Sequence, residues 1–540
     1  MKNQIKFLFV VVFFSIIQDT FSQKRWIYHK NKTIKIEQWS VNDIVFNSNK
    51  TIKNPYEIKL FAEVKNDNSV QKIPLIFNGD KEWIFRYSSA KVGDFSYKII
   101  GEKLNFSNKS GKIKVTKNKK KDRFGGITLS KKDPKHFYYE NGKHYFNLAF
   151  ECDWLFALDY NKDQLKKTKH LLNLVKENGF NQIVMNVYSH DVSWKKDELL
   201  KSNPQHEFGG RQDIFPFLGN NKKPDYSALN PKFFQHLDKV ILEMHDREIV
   251  SHLMIYVWNK LVSWPDMNTL EDNRYFDYVV KRYQAFPNII WDVSKEALYY
   301  GRATEEYISE RIKRIRNGDS YNRLVSVHDY NFCAKHVDEV DFISTQDWAA
   351  TLYTKMLTAK SKFKNKPVFN IEHGGYEESI YEVFPGNYTN AETCLRRNYL
   401  CLFAGTYTTY YWQGASWNVI IYNPFEQPDD QYKPKFGYFK HLKKFFTDLD
   451  YNNFEPQSWK NGSGYNLTNP KTGTTLVYIP KENYAVKLWY LSKENKNSAT
   501  VQWFNTLTGE YTKPIDFEKD TANKSPFRGK GDSILIVRKK

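Results

Sequence analysis

Between residues 145 and 411 the chain repeats one pattern: a short run of apolar, β-favouring residues, then a longer stretch whose apolar residues recur every three or four positions. This alternation constrains the fold most, because the first pattern has the period of a buried strand and the second that of a helix with one apolar face. The strand-like runs are 145–150, 182–187, 249–257, 289–293, 324–327, 340–344, 367–371 and 406–411. Between them, Leu165, Thr168, Leu172 and Val175 share a helical face that Gly179 ends. Asn230 and Pro231 supply the cap and first turn of a helix carrying Phe234, Leu237, Ile241 and Met244. Residues 273–286, the spacing of Ile308, Ile312 and Ile315, and residues 391–402 mark further helices. Eight buried strands separated by amphipathic helices predict an α/β fold, a closed parallel (β/α)8 TIM barrel. An open doubly wound sheet is the competing arrangement, but no G-x-G-x-x-G follows any strand.

The 540 residues exceed what one core holds, and the flanks read differently. Segments 39–46 and 56–64 cluster β formers, with turns at Gly79-Asp80 and Gly93-Asp94, and predict a β-sandwich over 23–118. The basic run at 117–121 reads as a linker, and Asn141-Gly142 as a hairpin turn opening a barrel domain over 119–450. Strand patterns return at 475–479, 485–490, 500–504 and 533–537, predicting a second β-sandwich over 451–540. Residues 1–22 read as an export signal: Lys2 and Lys6, an apolar run at 7–17, then Thr20-Phe21-Ser22 with small residues where cleavage needs them. No Cys follows, so a secreted or periplasmic product without a lipid anchor is expected, and no later segment reads as a membrane span.

Composition narrows the chemistry. The four cysteines, Cys152, Cys333, Cys394 and Cys401, do not form a disulfide scaffold, because Cys394 and Cys401 lie two helical turns apart, about 10 Å. No C-x-x-C or H-E-x-x-H pattern points to a metal, and His206-Glu207 reads as a loop, so neither metal nor cofactor is expected. The net charge of +20 has three explanations: a solvated basic surface, an anionic substrate such as a sulfated or uronic-acid polysaccharide, or nucleic acid. No nucleic-acid motif accompanies the charge, and the basic residues are scattered.

Reactive side chains of such barrels stand where the strands end. The fourth strand runs into Ser294-Lys295-Glu296 and the seventh into Ile371-Glu372-His373, so each delivers one Glu to the same rim. A carboxylic acid that protonates a leaving oxygen and a carboxylate that attacks or activates water are what glycosidic cleavage needs. Either Glu alone would read as a strand-end salt bridge. The other rim candidates, for sugar contacts by stacking and hydrogen bonding, are Glu151, Trp154, Tyr188, His190, Trp258, His328, Gln346, Trp348, His373 and Trp412. His190 and His328 could equally be satisfied core histidines. The forty residues from 189 to 228 read as a loop walling one end of the cleft.

Pro287-Asn288-Ile289-Ile290-Trp291-Asp292-Val293-Ser294-Lys295-Glu296 resembles the acid/base strand of clan A retaining glycosidases, and Lys366-Pro367-Val368-Phe369-Asn370-Ile371-Glu372-His373-Gly374-Gly375 resembles their nucleophile strand. Phe150-Glu151-Cys152-Asp153-Trp154 is similar to the first strand of apiosidase-like barrels, 178–183 to the start of their second, and 404–418 to their last. The N-terminal sandwich and the segment 501–535 resemble modules that flank such barrels, the latter a "putative collagen-binding" domain by name. The resemblance implies a glycoside hydrolase with Glu296 as general acid/base and Glu372 as nucleophile, acting without a cofactor on a plant or algal polysaccharide or oligosaccharide. A catalytically silent glycan-binding protein and a polysaccharide lyase are the alternatives. One departure stands out: the clan places Asn before the acid/base, and this chain has Lys295. Either Lys295 donates the hydrogen bond that Asn would, or turns away, or it meets an anionic group on the substrate.

Overall fold

The computed structural model describes residues 26–28, 33–193, 204–373, 391–411, 423–426, 433–457, 465–483, 485–488, 499–518 and 523–540. Residues 1–22, Trp412, Gly374, Gly375 and the stretch 412–418 of the last-strand motif lie outside them.

Eight parallel strands form the centre: Ala149–Glu151, Gln182–Asn186, Val250–Val257, Ile289–Lys295, Val325–His328, Ile343–Gln346, Val368–Glu372 and Tyr407–Tyr410. They are barrel strands one to eight below. Each is followed by a helix: Lys166–Glu177, Pro231–Asp246, Leu270–Tyr283, Glu305–Gly318, Tyr330–Lys335, Leu352–Lys362, Ala391–Phe403 and Phe436–Asp448. Asn230, Thr269 and Thr304 cap three of these helices by accepting from the backbone N–H of Lys232, Asp272 and Tyr307. The Thr269 cap starts its helix at Leu270 rather than at the expected residue 273. Strand one starts at Ala149 rather than 145, because Tyr145 donates its backbone N–H to Phe137 O, on a hairpin of Ile127–Ser130 and Asp133–Tyr139.

Paired strands run in the order five, four, three, two, one, eight, seven, six, so the barrel is closed except for a seam between five and six. Asp341 bridges that seam: its N–H donates to Val325 O and its Oδ2 accepts from Val325 N, both at 2.8 Å. Ser326 Oγ donates to Phe342 O beside it.

Residues 26–116 form two facing sheets, of four and five strands, around Phe46, Trp83, Phe85, Tyr97 and Phe106. This sandwich meets the barrel through Arg86, which donates to Asp43 at 2.8 Å and to Asp238 at 2.7 and 3.1 Å. Arg282 donates to the same Asp238 and to Asn78 of the sandwich. The basic run at 117–121, read as a linker, also packs on the barrel, with Lys120 Nζ 2.9 Å from Glu248.

From residue 455 a six-stranded antiparallel sheet forms, ordered Glu455–Pro456, Tyr465–Thr468, Thr475–Ile479, Ser533–Lys539, Ala499–Asn505, Ile515–Asp516, with a two-stranded ribbon of Ala485–Val486 and Asn523–Lys524. Leu476, Tyr478, Ile534 and Ile536 face the barrel core, while Val477, Ile479, Leu535 and Val537 face a separate core with Trp503 and Phe517. Burial on both faces explains why these strands are apolar throughout instead of alternating. The stretch 189–228, expected as a loop, contains an antiparallel hairpin of Phe217–Asn220 and Lys223–Leu229.

Candidate active site

At the C-terminal ends of the barrel strands, Glu296 and Glu372 are both buried, at 9% and 5% exposure. Glu372 ends strand seven, and its Oε1 accepts from Gln346 Nε2 at 3.0 Å. Gln346 also interacts with the Glu296 carboxyl, favouring its ionised form. Burial and the Glu372 charge push the Glu296 carboxyl up to about 7, against the opposing effects of Lys295 and Gln346. Asn259 Nδ2 donates to Glu296 Oε2, so one carboxyl oxygen is occupied by a donor.

Glu296 is aimed by the strand before it. Asp292 Oδ1 accepts from the backbone N–H of Ser294 at 3.1 Å and of His328 at 3.0 Å, and the register between strands four and five shifts there. The chain then turns through Glu296 at φ +55°, in the left-handed region. Asp292 Oδ2 lies 3.1 Å from His252 Nε2, His252 Nδ1 lies 3.2 Å from Gln182 Nε2, and Tyr145 Oη donates to Gln182 Oε1. A buried polar chain thus runs through the barrel interior to the backbone that presents the acid.

Lys295 corrects one expectation. Its Nζ lies 2.8 Å from Glu372 Oε2, 2.6 Å from Glu151 Oε1 and 3.4 Å from Asp153 Oδ2. The ammonium neither turns away nor waits for a substrate anion, because three buried carboxyl groups of the chain already surround it. Lys260 Nζ stands 3.3 Å from Asp153 and 4.7 Å from the centre of the Trp154 ring. Burial and the neighbouring Glu372 hold Glu151 well above the usual carboxylate range. The site thus sets two buried lysines, Lys260 and Lys295, among four buried carboxyl groups, Glu151, Asp153, Glu296 and Glu372.

The remaining candidates divide. His328 lies 3.8 Å from Glu372, and burial and Lys295 push it down to about 3, so it is neutral. His373 Nε2 lies 2.7 Å from Thr408 Oγ1. Trp348 packs edge-on against Tyr411, whose hydroxyl is raised by burial and by Glu372. Trp154 is wholly buried beside Asp153. Tyr188, His190 and Trp258 are built into the wall instead: Tyr188 packs among Phe156, Phe215 and Phe233 and bonds His190, which also meets Gln212, while Trp258 stacks on Tyr256. Among the described residues, Trp154 Nε1, Asn259 Oδ1, Ser294 Oγ and His328 Nδ1 are buried with no protein hydrogen-bond partner. A polyhydroxylated ligand would satisfy such atoms, which are otherwise costly to bury.

Sequence reasoning missed Asp153, Asn259, Lys260 and Tyr411. Asp153 lies between two candidates, and Asn259-Lys260 directly follow Trp258. The strand-end rule found these places but passed over positions one or two residues from those it chose. No cluster of His, Cys, Asp and Glu among the described residues is arranged to hold a metal ion.

The model of the apiosidase-like catalytic domain matches residues 131–455, and that of a domain of unknown function, DUF5060, matches residues 35–101. A search of curated proteins finds no significant match. Among solved structures, the chain is similar to a candidate glycoside hydrolase from Bacteroides vulgatus, at 19% identity and TM-score 0.71 over 94% of this chain and 100% of that one. It also resembles a family 5 glycoside hydrolase from the same organism, at 19% identity and TM-score 0.54 over 77% of this chain and 93% of that one. The class is therefore that of the glycosidases built on a (β/α)8 barrel. Within that class, the chain belongs to the apiosidase-like family, whose domain spans more than half its length.

Proposed function

We propose that the protein is an exported retaining glycosidase that releases a sugar from a plant or algal polysaccharide or its fragments, with Glu296 as general acid/base and Glu372 as nucleophile. The observation that carries this reading is the pair of buried carboxyls at the strand ends: Glu372, clamped by the Lys295 ammonium, helps raise Glu296 to about 7. Glu372 attacks the anomeric carbon while Glu296 gives its proton to the departing oxygen, leaving a glycosyl ester on Glu372. Glu296, now ionised, takes a proton from water, and that water's oxygen displaces the ester with overall retention. The resemblance of the two strands to those of clan A retaining enzymes favours this double displacement over inversion.

The pairing of Lys260 and Lys295 with carboxyl groups of the chain favours a neutral reacting sugar. The family name makes terminal apiosyl glycosides the first substrates to try. A lyase would need a free base, and Lys295 is ion-paired while Tyr411 is shifted towards its protonated form. Wild type and Glu372→Ala should be screened on apiosyl, neutral and sulfated glycans, with NMR following the anomer first released. The reading expects hydrolysis with retention, lost by about 10⁴-fold in the variant. Unchanged turnover in Glu372→Ala, or an unsaturated product absorbing in the ultraviolet, would refute it.

A further inference from the structure

The turn after Glu296 presents two aromatic rings to solvent. Tyr299 is 82% exposed and Tyr300 44% exposed, with ring centroids 5.1 Å apart at 83°. The turn is anchored: Tyr300 N–H donates to Glu296 O, Gly301 N–H to Leu298 O and Arg302 N–H to Ala297 O, and Ala297 is fully buried. Asn259, which donates to the Glu296 carboxyl, also interacts with the Tyr300 hydroxyl. Single exposed apolar side chains are ordinary on protein surfaces. Two neighbouring rings are thus held on a bonded turn whose backbone is tied to the residue proposed to protonate the leaving oxygen.

We infer that Tyr299 and Tyr300 form a leaving-group subsite that stacks a pyranose ring of the glycan beyond the scissile bond. This rests on the proposed role of Glu296, because the leaving oxygen must lie against the acid and the residue attached to it must lie beyond. The apolar face of a sugar ring fits an exposed phenol face, and the ring hydroxyls remain in water. The protein therefore acts on sugar joined to sugar.

The test compares two substrates with the same terminal sugar: the oligosaccharide, and the glycosyl fluoride, whose leaving group fills no subsite. Tyr299→Ala should lower kcat/KM on the oligosaccharide by about ten-fold, chiefly through KM, the scale of one good ring contact. It should change the fluoride by less than about two-fold, with an unaltered melting temperature. Tyr300→Phe, which keeps the ring, should retain most oligosaccharide activity. Equal losses on both substrates, or no loss on the oligosaccharide, would overturn the subsite while leaving the two-carboxylate reading intact. Wild type that turns over neither substrate would overturn both.

Discussion

Glu296 holds a backbone conformation that non-glycine side chains rarely adopt, and its carboxyl has been moved into the neutral range by burial and by Glu372. The sign of the pH dependence follows. A general acid works only while protonated, so kcat/KM should be level below about pH 7 and fall ten-fold per pH unit above it. The Gln346 hydrogen bond stabilises the ionised form, so Gln346→Leu should move that alkaline limb upward, as a pH–rate profile would show. Lys295→Met would leave Glu151, Asp153 and Glu372 clustered without their ammonium. It should cost about 3 kcal/mol or more in urea unfolding. At this scale the two acids were legible, because each directly follows a recognisable strand. The partners of Lys295 were not, since Glu151, Asp153 and Glu372 come from strands one and seven and only barrel closure brings them to strand four.

Strand four behaves as a spring fixed at both ends. Asp292 ties two backbone N–H groups and one imidazole in the barrel interior, and the shifted register beyond it sets the direction of Lys295 and Glu296. Asp292→Ala would orphan those buried donors, at about 1–3 kcal/mol each. Chemical denaturation should show a loss of about 3 kcal/mol, and kcat should fall more than KM rises because the acid is no longer aimed. The eight strands and five of the helices were readable from periodicity to within a few residues, whereas Tyr330–Lys335, Leu352–Lys362 and Phe436–Asp448 were not. Missed boundaries trace to individual bonds: the side-chain cap at Thr269 extends a helix forward, and the backbone bond to Phe137 takes Tyr145 out of strand one. The hairpin of Phe217–Asn220 and Lys223–Leu229 escaped notice because its first strand is four residues long and the second, though alternating, begins Lys223-Pro224-Asp225, residues that strands disfavour.

For the whole molecule, the decisive contacts lie between the barrel and what flanks it. Arg86 and Arg282 meet on Asp238, so one buried carboxylate binds the sandwich to two barrel helices. Arg86→Met should cost about 3–5 kcal/mol and split a single calorimetric transition into two, the sandwich melting first. Nothing in local sequence announces such a bridge, because Asp43, Arg86, Asp238 and Arg282 lie far apart along the chain. The second flank has a different logic. Strand Ser533–Lys539 sits mid-sheet, pairing with Thr475–Ile479 on one side and Ala499–Asn505 on the other, and those two strands share no ladder of their own. Each pairs on its other edge with a strand near it in sequence, so Ser533–Lys539 alone joins the two halves of the sheet. A chain interrupted before residue 533 should keep two unpaired edges and self-associate, which light scattering of the truncated protein would show.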